Sequence, residues 1–280
     1  LSTVINRMAF SYASDSAVTT IPLPNEEMKG RIIGKEGRNI RTLEITTGVT
    51  ILIDDTPCSV TISGFDPIRK ELAKQTLTEL IADGRIHPTR IEEAVENAKK
   101  KLKTQIKGHG ENAAASMGIM NLHPQILDLL GKLHFHYSSG QNVLKHSLEV
   151  SHLMGLIAGE LGLNVKLAKR IGLLHDVGKS LSQDIEGSHA ICGQKLALKY
   201  GESIDVANGI GCHHNEKEPC TLEGSLCNIA NTISESRPGA QVEAVKDSFT
   251  RLDKLEKLAM KFSGVERAHA MQAGREIRVM

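Results

Sequence analysis

Ile33-Gly-Lys-Glu-Gly-Arg-Asn-Ile40 is the stretch that decides the fold of the first part of the chain. Its two glycines allow a tight turn in which the backbone approaches a ligand closely. Apolar periodicity on either side predicts one helix over Asn25–Ile33 and another over Arg38–Thr47. Unpaired N–H groups at the start of the second helix favour an anion such as a phosphate group. The stretch therefore predicts two helices joined by a phosphate-binding turn.

The segments around this turn predict a small α+β domain. Alternating apolar and polar residues predict strands over Val49–Asp54 and Ser59–Ser63, and another strand over Thr20–Leu23 precedes the first helix. Asp66-Pro67 places a capping side chain before a proline at the first helical position, which predicts a helix that runs to Ala82. The predicted order of elements is βααββα.

This order and the Gly-x-x-Gly turn resemble a type I KH domain over residues 20–84. A lone Gly-x-x-Gly also occurs in ordinary helix–turn–helix connections, but the surrounding strands and the flanking isoleucines favour the KH interpretation. The resemblance implies that single-stranded RNA binds at the turn, through Gly34, Lys35, Glu36, Gly37 and Arg38. Residues 22–84 hold eight Lys and Arg against ten Asp and Glu. We therefore expect modest affinity, based on backbone dipoles and a few local cations.

The rest of the chain reads as almost entirely helical. A lysine-rich helix over Thr89–Lys107 has the composition of a connector between two cores, although its lysines are also typical of an ordinary solvated helix face. After it, the spacing of apolar residues and helix breaks predicts an orthogonal helical bundle. The predicted organisation is the end of an N-terminal helix at 1–19, the KH domain at 20–84, a connecting helical region at 85–118, the bundle at 119–264 and a small C-terminal β-hairpin at 265–280.

Bulk composition limits the cellular setting more than the function. The formal net charge of the 280 residues is +1, so a nucleic-acid partner has to be argued from individual sites. The five scattered cysteines include no Cys-x-x-Cys pair, which favours reduced thiols in a cytoplasmic setting. No apolar run approaches the roughly 18 residues that a membrane span requires. Because the first residue is Leu1, we expect the chain to be a fragment of a longer protein.

Histidines cluster in the predicted bundle. His146 lies in phase with apolar residues on one predicted helix, His175-Asp176 closes the next on its buried side, and His213-His214 lie three and four residues after Ile210 on another. One buried histidine is more often a hydrogen-bonded core residue than a metal ligand. Several imidazoles that converge from separate helices would leave polar nitrogens unsatisfied, and a divalent metal satisfies several of them at once. The cluster therefore predicts a metal site.

The pattern His146…His175-Asp176 resembles the HD superfamily of metal-dependent phosphohydrolases. The resemblance implies one metal held by His146, His175, Asp176 and residue 231, and a second held by Asp176, His189, His213 and His214. Asp176 would bridge the two ions, and Lys179 would lie near the substrate phosphate. The superfamily pattern ends with an aspartate, whereas this chain has Asn231 in that register. A neutral amide in place of a carboxylate predicts weaker metal binding and lower activity.

Several longer stretches resemble the ribonuclease Y family, in which a KH domain precedes an HD domain. They are Met28-Lys-Gly-Arg-Ile-Ile-Gly34, Asp83-Gly-Arg-Ile-His-Pro88, Gly140-Gln-Asn-Val-Leu-Lys-His146, Gly172-Leu-Leu-His-Asp176, Glu186-Gly-Ser-His189, Ser236-Arg-Pro-Gly-Ala240 and Gln272-Ala-Gly-Arg-Glu-Ile-Arg278. This resemblance implies a metal-dependent endoribonuclease that hydrolyses single-stranded RNA in mRNA decay and processing, with one or two ions of Mn²⁺, Mg²⁺ or Fe²⁺.

The same resemblance implies a setting for the longer protein. It implies a homodimer, partners in the RNA-degradation machinery, and a position at the inner face of the bacterial cell membrane. Contact with the membrane would come only through a segment outside these residues.

Two other functions stay open on the residues alone. One is an HD phosphodiesterase that acts on cyclic or small nucleotides, since the metal site by itself does not specify RNA. The other is a non-catalytic RNA-binding protein, for which Asn231 is the argument. Glu235, one helical turn after Asn231, is a less favoured substitute ligand. His123, His134, His136 and His152 have no counterpart in the HD pattern and are predicted to be surface or packing residues.

Overall fold

The computed structural model describes residues 18–138, 140–181, 187–236 and short segments between 257 and 279. Its strands are β1 (Val18–Pro22), β2 (Thr50–Leu52), β3 (Ser59–Ser63), β4 (Tyr137–Ser138), β5 (Gln141–Asn142), β6 (Ala268–Met271) and β7 (Glu276–Val279). Its helices are α1 (Glu27–Ile33), α2 (Arg38–Thr47), α3 (Pro67–Asp83), α4 (Pro88–Ser116), α5 (Pro124–Lys132), α6 (Val143–Glu160), α7 (Val165–Leu174), α8 (His189–Lys199), α9 (Ile204–Cys212) and α10 (Leu222–Ser236).

The first six elements form the predicted βααββα unit. Its sheet has the order β1-β3-β2, and both pairings are antiparallel. One core joins helices and sheet, because Ile32 of α1, Leu43 of α2, Ile62 of β3 and Leu77 of α3 are all fully buried in it. Asp66 starts α3 as predicted, since its carboxylate accepts hydrogen bonds from two backbone N–H groups of the first turn.

Helix α4 contributes to two hydrophobic cores. Its first half buries Ile91, Leu102 and other apolar residues against the βααββα unit, and its last turns bury Ala113 and Ala114 in the core of the helical bundle. The prediction that this helix ends at Lys107 is wrong, because the small residues after it allow close contact with α5. A Cβ atom at Gly110 would lie only 2.0 Å from the carbonyl oxygen of Leu127.

Helices α5 to α10 form the bundle that carries the histidine cluster. Its core contains fully buried Leu130 of α5, Val150 of α6, Ile171 of α7, Ile210 of α9 and Ala230 of α10. Asn142, Asn164, Ser188 and Ser203 cap the starts of α6 to α9, each accepting a backbone N–H with its side chain. Packing around one core brings residues from different helices to a common centre.

The architecture confirms the predicted α+β class, with a KH-like unit followed by a helical bundle and small antiparallel strand pairs. β6 and β7 pair as a C-terminal hairpin. The predicted N-terminal helix falls mainly on residues 1–17, outside the described residues, but Val18 and Thr19 lie in strand β1. In the described part of the chain, no helix combines the length and apolarity needed to cross a membrane.

Candidate metal centre and RNA-binding turn

The predicted ligands converge from five helices of the bundle. His146 lies on α6, His175 follows the last residue of α7, and His189 is the first residue of α8. His213 follows α9, and Asn231 lies on α10. Side chains so distant in sequence meet because their helices pack on one core. His146, His175, Asp176, His213 and Asn231 are all buried, whereas His189 is partly exposed and His214 is exposed.

Asp176 is the centre of the cluster, and its two oxygens face two different groups. Its Oδ2 atom lies 3.4 Å from His175 Nε2 and 3.9 Å from His146 Nε2. Its Oδ1 atom lies 3.4 Å from His189 Nε2 and 3.9 Å from His213 Nε2. Two sets of potential ligand atoms result, each lying within 4.8 Å of one another: His146, His175 and Asp176 form one set, and His189, His213 and His214 form the other.

Hydrogen bonds to the backbone orient two of these imidazoles. The Nδ1 atom of His175 lies 2.8 Å from the Gly172 carbonyl oxygen, and that of His213 lies 2.6 Å from the Ile210 carbonyl oxygen. A carbonyl only accepts, so both Nδ1 atoms carry the proton and both Nε2 atoms present a lone pair to the cluster. Metal-binding histidines are held in this way, with the second nitrogen donating to a fixed acceptor.

The second set brings three nitrogens unusually close together. His189 Nε2 lies 3.3 Å from His213 Nε2 and 3.1 Å from His214 Nε2. His213 Nε2 carries a lone pair and no proton. The three nitrogens can therefore be satisfied only by a shared proton or by a cation. A divalent metal accepts all three lone pairs at once.

The donor set fits a divalent metal. Asp176 Oδ1 and His175 Nε2 are buried without a hydrogen-bond partner among the described residues, and such orphaned atoms are costly unless something else satisfies them. Mixed imidazole and carboxylate ligands suit ions such as Mn²⁺ and Fe²⁺, and the hard carboxylate suits Mg²⁺. The first set would hold one ion, the second set would hold another, and Asp176 is placed to contact both.

The electrostatics of the cluster keep its ligands ready for a cation. Burial lowers the pKa of His175 to about 4 and that of His213 to about 2. Burial by itself raises the pKa of the Asp176 carboxyl, but nearby His175, His189 and Lys179 together hold it well below its usual range. At neutral pH the two buried imidazoles are neutral and the carboxyl is charged, which are the forms that bind metal.

Asn231 lies where the sequence pattern placed it. It is buried on α10, and its Oδ1 atom lies 2.8 Å from His146 Nε2. The amide therefore presents an oxygen to the first set, in the position of the expected carboxylate but without its charge. The Arg-Pro-Gly motif that follows falls on residues 237–239, outside the described residues.

Lys179 contacts the carboxylate directly. Its Nζ atom lies 2.8 Å from Asp176 Oδ2, and the side chain is partly exposed. Lys179 also lines two adjoining cavities at the mouth of the cluster, the larger about 400 Å³ in volume. Tyr137 and His136 line the same larger cavity, and Glu235 lines the smaller one beside His146. Lys179 is therefore positioned between the buried carboxylate and the space open to a ligand.

The Gly-x-x-Gly turn has the predicted geometry. Lys35, Glu36 and Arg38 are exposed, and the backbone φ angles of Gly34 and Gly37 are both +71°. A Cβ atom at Gly34 would lie 2.6 Å from the Asn39 side chain, so this position requires glycine. Asn39 in turn donates hydrogen bonds to the carbonyls of Arg31 and Ile86, which fixes the turn to the start of the connecting segment.

Among the described residues, His123, His134, His136 and His152 lie outside the two ligand sets. His123 caps α5 and stacks on Tyr200, His134 stacks on His109 at 3.6 Å, and His152 is exposed. Sequence reasoning missed Ser234 and Glu149, which contact His146 or its hydrogen-bond partner. Their spacing of one helical turn from Asn231 and His146 was the available signal.

Comparison with known proteins finds two domain families and a set of similar full-length proteins. Residues 18–79 match the KH domain family, and residues 143–236 match the HD domain family. The chain is 63% identical over 280 residues to a protein named Ribonuclease Y from Protochlamydia amoebophila, covering all of this chain and 54% of that protein.

Two other relatives with the same name are similar over nearly the same span. The protein from Desulforamulus reducens is 54% identical over 280 residues, covering 100% of this chain and 55% of its own. The protein from Symbiobacterium thermophilum is 54% identical over 276 residues, covering 99% of this chain and 53% of that protein. The chain thus spans about half the length of the curated relatives it matches.

Proposed function

Because the chain belongs to the ribonuclease Y family, we propose that it is a metal-dependent endoribonuclease that hydrolyses phosphodiester bonds of single-stranded RNA in mRNA decay and processing. The single observation that supports this proposal best is that the two carboxylate oxygens of Asp176 face different groups of histidines. One oxygen faces His146 and His175, and the other faces His189 and His213. Two adjoining ligand sets that share one carboxylate are suited to phosphate-ester hydrolysis.

We propose the following ligand roles. His146, His175, Asp176 and Asn231 would hold one ion, and Asp176, His189, His213 and His214 would hold the other. When bound, Mn²⁺, Mg²⁺ or Fe²⁺ supplies Lewis-acid activation of water and of the phosphate. Asp176 orients both ligand sets, and its buried charge is the main attraction for cations.

Lys179 is proposed to bind the substrate phosphate. Its ammonium group is partly exposed at the cavities and lies 2.8 Å from Asp176 Oδ2. With the charge of Asp176 neutralised at a loaded site, the ammonium group of Lys179 would be available to an anionic oxygen of the RNA. Lys179 and the cavity walls then position the scissile bond beside the ligand sets.

The KH turn is proposed to hold the RNA strand. Exposed Lys35 and Arg38 flank the backbone N–H groups of the turn, and Gly34 and Gly37 keep its surface free of side-chain bulk. Such a turn clamps a few nucleotides of single-stranded RNA through its sugar-phosphate backbone. We propose domain limits at residues 20–84 and 119–264, with α4 shared between the two cores.

The setting of the full protein is also a proposal. We infer a homodimer at the inner face of the bacterial cell membrane, attached through a segment outside this chain, with partners in RNA degradation.

The test is cleavage of an end-labelled single-stranded RNA with Mn²⁺ by the wild type, Asp176→Asn and a matched control. His152→Ala is a suitable control, because His152 is exposed on the same helix as His146. We expect internal cleavage by the wild type and by the control, and loss of at least about 100-fold in rate for Asp176→Asn.

Two results would contradict the proposal. Hydrolysis of cyclic nucleotides with no RNA cleavage would favour the small-nucleotide phosphodiesterase. RNA binding without hydrolysis of either substrate, even with Asn231→Asp, would favour the non-catalytic RNA-binding protein.

A further inference from the structure

His146 differs from the other buried imidazoles of the metal centre in what holds its outer nitrogen. His175 and His213 donate to backbone carbonyls three residues earlier in their own chain segments. His146 Nδ1 instead lies 2.9 Å from the hydroxyl oxygen of Ser234, on helix α10. Its orientation therefore depends on side chains.

Ser234 connects His146 to a carboxylate. The Ser234 Oγ atom lies 2.9 Å from Glu149 Oε2, and Glu149 is on α6, one turn after His146. Ser234 is 1% exposed, so its hydroxyl has little access to water. The three side chains form a relay in the order Glu149, Ser234, His146.

The chemistry of the three groups sets the direction of the relay. A hydroxyl has one proton to donate, and an ionised carboxylate only accepts. Ser234 therefore donates to Glu149 and accepts from the Nδ1–H group of His146. This leaves the His146 Nε2 atom as a lone pair that faces the first ligand set.

Asn231 favours the opposite arrangement. Its Oδ1 atom lies 2.8 Å from His146 Nε2, and a protonated Nε2 would donate a hydrogen bond to it. That tautomer places a proton on the atom that has to bind a metal. The relay and Asn231 therefore compete for the proton of His146. The relay ends on a carboxylate, and because hydrogen bonds to a charged group are stronger than those to a neutral amide, the competition favours the proton on Nδ1.

We propose that Ser234 and Glu149 are positioning residues that hold His146 in the tautomer able to bind metal. The inference rests on the proposed function for its catalytic importance, but the tautomer itself is a property of the metal-free chain. Removing the hydrogen-bond partner of a metal ligand typically lowers metal affinity by about 10- to 100-fold. We expect loss of the relay to weaken Mn²⁺ binding within that range.

The direct test is NMR of metal-free protein with ¹⁵N-labelled histidine. Long-range ¹H–¹⁵N spectra show which ring nitrogen carries the proton, and His146→Gln identifies the His146 signals. We expect the Nδ1–H form in the wild type and a shift toward Nε2–H in Ser234→Ala. Ser236→Ala is the matched control, since Ser236 is an exposed serine on the same helix that bonds only to the Thr232 carbonyl among the described contacts.

Calorimetric titration with Mn²⁺ gives the second readout. Ser234→Ala should bind Mn²⁺ about 10- to 100-fold more weakly than the wild type, and Ser236→Ala should match the wild type. Glu149→Gln tests the outer end of the relay at a half-buried site, and it should shift the tautomer in the same direction by a smaller amount. This variant also keeps the test decisive if Ser234→Ala does not fold.

The proposal is overturned if both relay variants keep the wild-type tautomer, or if they bind Mn²⁺ as the wild type does. A wild type that shows the Nδ1–H form and binds Mn²⁺ but leaves RNA uncut would contradict the proposed function and leave the relay standing. The two inferences therefore fail separately.

Discussion

Changing Asn231 to aspartate should lower the thermal stability of the metal-free protein and raise its affinity for a divalent cation. Asn231 Oδ1 and Asp176 Oδ2 lie 2.8 and 3.9 Å from the same atom, His146 Nε2. The two oxygens are therefore at most about 6.7 Å apart, and two carboxylates within that separation repel by at least about 2.5 kcal/mol at an effective dielectric constant of about 20.

This repulsion predicts opposite effects with and without metal. In EDTA the loss of about 2.5 kcal/mol should lower Tm by roughly 5–10 °C for a domain of this size. A bound cation would remove the repulsion, so the same free energy should appear as Mn²⁺ affinity raised by about 60-fold. Cleavage of RNA at limiting Mn²⁺ should rise accordingly.

Thermal denaturation in EDTA and in Mn²⁺, together with calorimetric titration, measures both effects at neutral pH. Asn231→Ala is the matched control, because it removes the amide oxygen without adding a charge and should bind Mn²⁺ more weakly than the wild type. If Asn231→Asp left Tm in EDTA unchanged and did not raise Mn²⁺ affinity, residue 231 would not be part of the first ligand set.

Three further predictions concern pH, the lysine and the turn. Burial lowers the pKa of His175 and His213 in the folded protein, so the unfolded chain binds more protons below pH 6.5. The free energy of unfolding of the metal-free protein should therefore fall by about 2 kcal/mol between pH 6.5 and about 5.5. A Tm in EDTA that does not change over this pH range would contradict the prediction. Lys179→Gln should bind Mn²⁺ more tightly, because the lysine competes with cations for the Asp176 carboxylate. The same variant should cleave RNA at least about 10-fold more slowly in rate assays. Slower cleavage together with weaker metal binding would show that the lysine supports the ligand set instead. Both glycines of the turn have positive φ, but only Gly34→Ala also clashes with a side chain, 2.6 Å from Asn39, whereas Gly37→Ala makes an ordinary 3.8 Å contact with Ile40. Denaturant titration should therefore show a loss about 1–2 kcal/mol larger for Gly34→Ala, and equal losses would refute the steric argument.

Much of the fold was predictable because its signals are local. The helix over Arg38–Thr47 and the strand over Ser59–Ser63 were predicted at the residues where they occur. The helix is bounded by Gly37 and Gly48, which have positive φ, and the strand by the Asp54-Asp55-Thr56-Pro57 turn before it and Gly64 after it. The end of α4 was predicted nine residues early, because its continuation depends on close contact with α5 and not on its own propensity.

The membership of the candidate metal centre was also predictable. The phase of His146, the position of His175 at a predicted helix end and the spacing of His213 from Ile210 are properties of the amino-acid order, and the structure brings the three histidines together around Asp176. The departure at Asn231 was visible for the same reason. Helical periodicity predicts which face of each helix a side chain occupies, and therefore which residues point inward.

What the amino-acid order determined by itself, then, is the βααββα order of the first unit, the helical character of the bundle, the inward-facing histidines and the Gly-x-x-Gly turn. Only the tertiary structure decided that each Asp176 oxygen faces a different ligand set and that the Lys179 ammonium group lies beside that carboxylate. It alone also decided that Ser234 contacts His146 and links it to Glu149. The physical reason is the range of the interactions. Periodicity and capping act within one or two helical turns, whereas hydrogen bonds and charge pairs between helices exist only after packing has brought distant atoms to within a few ångströms of each other.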